Sequence, residues 1–169
     1  MRQIFAVAVG LMALGAARGQ EQSEETKVIG RLVGTWKTEF VNKRAELNPT
    51  ETKFTGRVTC KLVLGGKFIE EVGSSLGKDV EHRVLWHYDP QKKAYRYWFF
   101  DSNGTAGDGV GTWDEKTKTM TWKTEPGDGL IGTAAHHFLN DDTYEWTYVI
   151  KDNQGKVFLD YYGKHTRAK

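Results

Sequence analysis

The sequence contains one cysteine, Cys60, in 169 residues. A lone thiol forms no intramolecular bridge, so the fold must be held by its core and not by disulfides. From residue 30 onward no window carries the 3.6-residue apolar stripe of an amphipathic helix, which argues against a helical bundle. An excess of one charge is missing too. The full chain is formally +2, yet two of its 24 basic residues, Arg2 and Arg18, lie in the first nineteen residues, which hold no acid. Beyond them 22 basic side chains face 22 acidic ones, and such a neutral domain lacks the electrostatic footprint of a nucleic-acid binder.

The usual signatures of chemistry are equally scarce. "GSSLG" at 73–77 holds serines but fits no strand–turn–helix nucleophile elbow. "GTAGDGVG" at 104–111 opens no helix, so it offers no dinucleotide cradle and reads as a place where a strand bends. Cys60 sits mid-strand without an activating base, as a small core residue would. His136 and His137 are adjacent and would point to opposite faces of a strand, so they make no joint chelate. A haem role for His137 is weaker than that of a satisfied core histidine. No metal site, no cofactor and no assignable catalytic residue is expected.

What is present begins with "MRQ" and the apolar run "IFAVAVGLMALGAA". The run is shorter than the ~20 residues of a spanning helix, and Ala17 and Gly19 bracket Arg18 as a signal peptidase requires. The expectation is a signal peptide over 1–19, cut before Gln20, and export to the periplasm or exterior of a bacterium. No membrane span is expected to remain after cleavage. Residues 20–29, "QEQSEETKVI", read as a flexible lead-in or a first helical turn, and 30–169 as one domain of ordinary size.

Within that domain apolar and polar residues alternate with period two, broken by turn residues every 8 to 12 positions. The pattern predicts ten strands, near 31–41, 52–64, 67–75, 81–88, 94–102, 106–114, 118–125, 132–139, 143–151 and 156–166. Short connections make neighbours antiparallel, and closure removes the two exposed edges of an open sheet. The fold class is therefore all-β: an antiparallel up-and-down barrel of about ten strands, with a two-sheet sandwich as the alternative.

The turns also predict which residues share a face. A Gly65-Gly66 turn sets Lys61 against Glu70 outside, with Val58, Cys60, Leu62, Leu64, Ile69 and Glu71 inside. The "PQKK" turn sets Trp86 against Tyr97, Val84 against Phe99 and His82 against Asp101. Across "NDDT" Leu139 meets Tyr144 and His137 meets Trp146; across "DNQG" Tyr148 meets Leu159 and Trp146 meets Tyr161. The "GTW" triplets at 34–36 and 111–113 are read as packing devices, Trp36 filling the barrel floor and Gly111 making room for Trp122. The expected cavity lining is Trp36, Cys60, Glu71, His82, Trp86, Tyr97, Asp101, His137, Trp146 and Tyr161.

"LVGTW", "VLGGKFIEEV", "YDPQKKAYRYWFFDSNGT" and "GTWDEKTKTMTW", in that order, resemble the DUF1579 family, a bacterial family of unknown function. The resemblance runs from about residue 29 to 166 and implies a calycin-like barrel, akin to lipocalins, with a cavity for a small apolar or amphipathic ligand. The expectation is a non-enzymatic barrel whose partner is a small lipophilic molecule. The alternatives are a barrel filled by its own side chains that serves as an interaction module, and an isomerase- or hydrolase-type enzyme using Glu71, His82 and Asp101. Oligomeric state is not legible.

Overall fold

The computed structural model describes residues 23–74 and 79–169; the apolar run and its expected cleavage point lie outside them. A short helix, α1 (Glu24–Gly30), leads into ten strands: β1 (Gly34–Asn42), β2 (Thr52–Val63), β3 (Phe68–Gly73), β4 (His82–Asp89), β5 (Ala94–Asp101), β6 (Ala106–Asp114), β7 (Thr119–Gly127), β8 (Leu130–Asn140), β9 (Thr143–Lys151) and β10 (Val157–Arg167). Each strand pairs antiparallel with its sequence neighbours, and β1 pairs with β10 to close the barrel. Closure leaves no strand edge unpaired. The sandwich alternative is thereby set aside.

Turns carry a recurrent local device. Asp89, Asp101, Asp114 and Asp152 each end or follow a strand, and each Oδ1 accepts two backbone N–H groups from the turn it begins. Residues near the end of these turns, Lys93, Gly104, Lys118 and Gly155, take positive φ. An aspartate that satisfies turn amides offsets the modest strain of a left-handed lysine.

Meander topology sorts the ends of the barrel. The β2–β3, β4–β5, β6–β7 and β8–β9 turns gather at one end with α1 and the last residues of β10. The β1–β2, β5–β6, β7–β8 and β9–β10 connections gather at the opposite end. The first end is closed. Ser23 caps α1, its hydroxyl accepting from Thr26 N–H at 3.2 Å, and the helix drops Ile29 and then Leu32 into the barrel. Val28, Ile29 and Leu32 lie against Met120, Trp122, His136 and Phe138. The stretch read as a lead-in or a first helical turn is thus, from Glu24, a helix that plugs the barrel end. Seven residues are too few to show a helical stripe or to be stable alone; the barrel mouth they cover stabilises them.

Trp36 forms the floor above this plug. It is 0% exposed, donates Nε1–H to Leu32 C=O at 2.7 Å, and meets Tyr144 edge-on at 4.8 Å. Burying a tryptophan removes roughly 200 Å² from water, an upper estimate of about 5 kcal/mol. The guanidinium of Arg167 covers its other side, 4.2 Å from the ring, and is held by Val33 C=O, Asp141 C=O and Asp142. The space beside Gly34 is used by Arg167: any Cβ there would overlap Nη1.

The registers of β2–β3, β4–β5 and β6–β7 are those the turns predict, including Lys61–Glu70, Trp86–Tyr97, His82–Asp101 and Gly111–Trp122. Three readings need correction. A bulge between Phe138 and Asn140 makes Phe138, not Leu139, the partner of Tyr144, and His136, not His137, the partner of Trp146. His137 therefore faces solvent, and His136 faces inward. The β9–β10 turn is one residue longer than read, pairing Lys151 with Val157, and a bulge between Val157 and Leu159 adds another, so β10 is displaced two residues and Tyr148 pairs with Tyr161 and Ile150 with Leu159. A slip of two preserves the face, and Leu159 and Tyr161 still point inward. Leu62 and Leu64, expected inside, are exposed at the end of the β2–β3 hairpin.

Candidate functional site

The lower half of the barrel is solid, built on Trp36, Val58, Cys60, Ile69, Met120, Trp122 and Tyr144. Above it the interior is hollow. A cavity of about 630 Å³ extends to the open end, where exposed Asn103, Thr105, Asp108 and Glu125 form part of its rim. Its volume lies within the ~300–1,000 Å³ of small-molecule sites. The hollow arises because inward positions of β4, β5, β9 and β10 carry flat aromatic rings that line the wall without meeting at the axis. Trp86, Tyr97, Phe99, Trp146, Tyr148 and Tyr161 form most of it. Trp86 packs on Tyr97 at 5.3 Å and on Trp122 at 5.0 Å, so the wall is braced from below.

At the deep end the wall turns polar. Glu71 on β3 and His82 on β4 join at 3.0 Å, Nε2 to Oε1, with side chains 11% and 3% exposed. Burial alone would raise the Glu71 carboxyl; the hydrogen bond and charge of His82 outweigh it and hold the carboxyl below its ordinary range. Glu71 is therefore a buried anion among imidazoles and a thiol. The Cys60 thiol points at Oε2 from 3.6 Å, and burial together with that carboxylate pushes its pKa far up, so Cys60 is inert.

Two further imidazoles complete the deep end. His136 accepts the indole N–H of Trp122 on Nδ1 at 3.0 Å, and burial pushes its pKa down to about 3. His165 on β10 stacks on Tyr144 at 4.3 Å with planes 6° apart, and burial pushes it down to about 4. Both are neutral at ordinary pH. Three lining side chains have buried polar atoms without a partner: Nδ1 of His82, Nε1 of Trp86 and Nδ1 of His165. Unmet buried polar atoms are uncommon in native proteins and call for an explanation.

Of the side chains expected to line a cavity, Glu71, His82, Trp86, Tyr97, Asp101, Trp146 and Tyr161 do so. Trp36 and Cys60 lie below it in the solid floor, and His137 is outside the barrel. His82 and Asp101 are cross-strand neighbours, as the register predicts, but share no hydrogen bond. The Asp101 carboxylate serves the turn amides of Asn103 and Thr105, and the carboxylate of His82 is Glu71. The three-residue grouping of Glu71, His82 and Asp101 therefore reduces to the Glu71–His82 pair. His136, Tyr148 and His165 line the cavity as well. His165 was within reach of the pattern, since Leu159, Tyr161, Gly163 and His165 continue one period-two series.

With the barrel and its cavity described, the class is that of a small closed barrel with an internal ligand-sized chamber. The chain belongs to DUF1579, "Protein of unknown function", which matches residues 21–156. Among solved structures it is similar to the S-type phycobiliprotein lyase CPES from Guillardia theta, with a TM-score of 0.59, 15% identity, and 88% and 94% of the two chains covered. It is also similar to Rv2717c from M. tuberculosis, with a TM-score of 0.64, 8% identity and 87% and 99% coverage. At these identities the likeness is one of fold. A 71-residue stretch is 32% identical to lysosomal alpha-mannosidase of Cavia porcellus, spanning 42% of this chain and 7% of that protein's length. The same stretch matches the Bos taurus protein equally.

Proposed function

We propose that this protein is an exported binding protein that holds a small lipophilic or amphipathic molecule in the upper half of its barrel. The cavity carries the reading: a chain that packs its lower half solidly leaves about 630 Å³ open above, walled by aromatic rings. An apolar chamber of this size gains nothing for stability, because unfilled wall atoms forgo dispersion contacts. Its few polar groups sit together at the deep end, as orienting groups do in ligand sites. Export rests on the apolar run and the small residues that follow it.

The test is titration of the purified barrel with neutral fluorescent aromatics and with lipid extracts, followed by tryptophan emission and native mass spectrometry. Trp86, Trp122 and Trp146 line the chamber, so a bound molecule will shift emission. Leu159→Trp, which places an indole in the chamber, should abolish the response. No adduct and no emission change with any probe would refute the reading.

A further inference from the structure

The polar groups of the chamber point to a class of ligand, a step that rests on the binding reading above. Among the described lining residues four are carboxylic acids, Glu71, Asp101, Asp108 and Glu125, and none is lysine or arginine. Asp108 has Arg96 at 3.6 Å and Asp101 is engaged by its turn, so the mouth is partly neutralised. Arg167, at the floor, lies on the far side of Trp36 and is committed to Val33, Asp141 and Asp142.

Glu71 differs from the other three. It sits deep in the chamber, and its carboxylate offers about four acceptor sites. Among the described residues only His82 at 3.0 Å and a thiol at 3.6 Å use them. Around it the unpartnered Nδ1 atoms of His82 and His165 are further nitrogens without partners. The wall above is built of aromatic rings, and a cation is drawn to the negative quadrupole of a ring face. A ligand led by a carboxylate or phosphate would meet the Glu71 anion and, for bases, only imidazoles: His82, already joined to Glu71, and His136 and His165, which burial keeps neutral. A ligand led by a protonated amine would meet unused acceptors and aromatic faces.

We propose that the chamber selects organic cations: amines carrying an aromatic or aliphatic body, with the ammonium at Glu71 and the body against Trp86, Tyr97, Trp146 and Tyr161. The experiment uses three probes with one body and different charge, pyrenemethylamine, pyrenemethanol and pyrenecarboxylate, titrated into the wild-type protein at neutral pH. The amine should bind about tenfold tighter than the alcohol and about a hundredfold tighter than the carboxylate, since a desolvated ion pair is worth a few powers of ten at most. Glu71→Gln should bring the amine and alcohol within about threefold of each other. Equal affinity for all three in the wild type, or tighter carboxylate binding, overturns charge selection and leaves the chamber as a binding site. Failure of all three to bind overturns both readings. The wild-type series decides the matter even where Glu71→Gln does not fold.

Discussion

Lowering the pH from about 7 to about 4.5 should remove roughly 5 kcal/mol of folding stability, because two imidazoles are buried neutral in the barrel. His165 and His136 have folded pKa values near 4 and 3 against an ordinary 6.5, and desolvation is the main cause for each. Their pKa values fall on folding, so protons favour the unfolded chain. Above about pH 6.5 neither state holds these protons and stability is full. Below it the unfolded chain takes up two protons that the folded chain refuses, and stability falls by about 1.4 kcal/mol per histidine per pH unit. Over two pH units the two residues give about 5 kcal/mol, a large share of the ~5–15 kcal/mol of a typical domain. Near pH 4 His165 begins to protonate in the folded state and its share levels off. Glu71, held below the ordinary carboxylate range, then adds a loss of its own as the pH falls further. The assay is urea unfolding followed by tryptophan emission at a series of pH values. His165→Phe keeps the stack on Tyr144 and breaks no existing hydrogen bond of Nδ1, so it should halve the slope. Stability constant within about 1 kcal/mol between pH 7 and pH 5, or an unchanged slope in the variant, would refute the assignment of buried neutral histidines.

Two smaller expectations concern the floor. At Gly111 a Cβ would lie 2.6 Å from Cζ3 of Trp122, a ring 1% exposed and tied by its Nε1–H to His136, so Gly111→Ala should cost about 2–3 kcal/mol in urea unfolding. Cys60 should resist thiol reagents in the folded protein at neutral pH and react at once in denaturant; rapid modification under native conditions would show that the floor opens.

The sequence by itself determined the barrel. Period two is a local property of a strand, and a turn of known length fixes the register of the hairpin it joins, so Trp86–Tyr97, His82–Asp101 and Gly111–Trp122 were all legible. Trp36 as the floor was legible for the same reason. The resemblance of its motifs to DUF1579 also holds, over residues 21–156. Bulges were not legible: one extra residue near Leu139 is chosen by the twist of the closed sheet, and it exchanged His137 for His136 on the inner face. A helical turn before β1 was one of two readings of 20–29; that it plugs the barrel was not legible, since seven residues are stable as a helix only against the end they cover. Above all, the pairing of Glu71 with His82 and the hollow above the floor belong to the tertiary structure. Which of two neighbouring carboxylates meets an imidazole depends on side-chain reach across strands, and whether ten strands enclose a void depends on how far their rings extend toward a common axis. Neither is a property of any one strand.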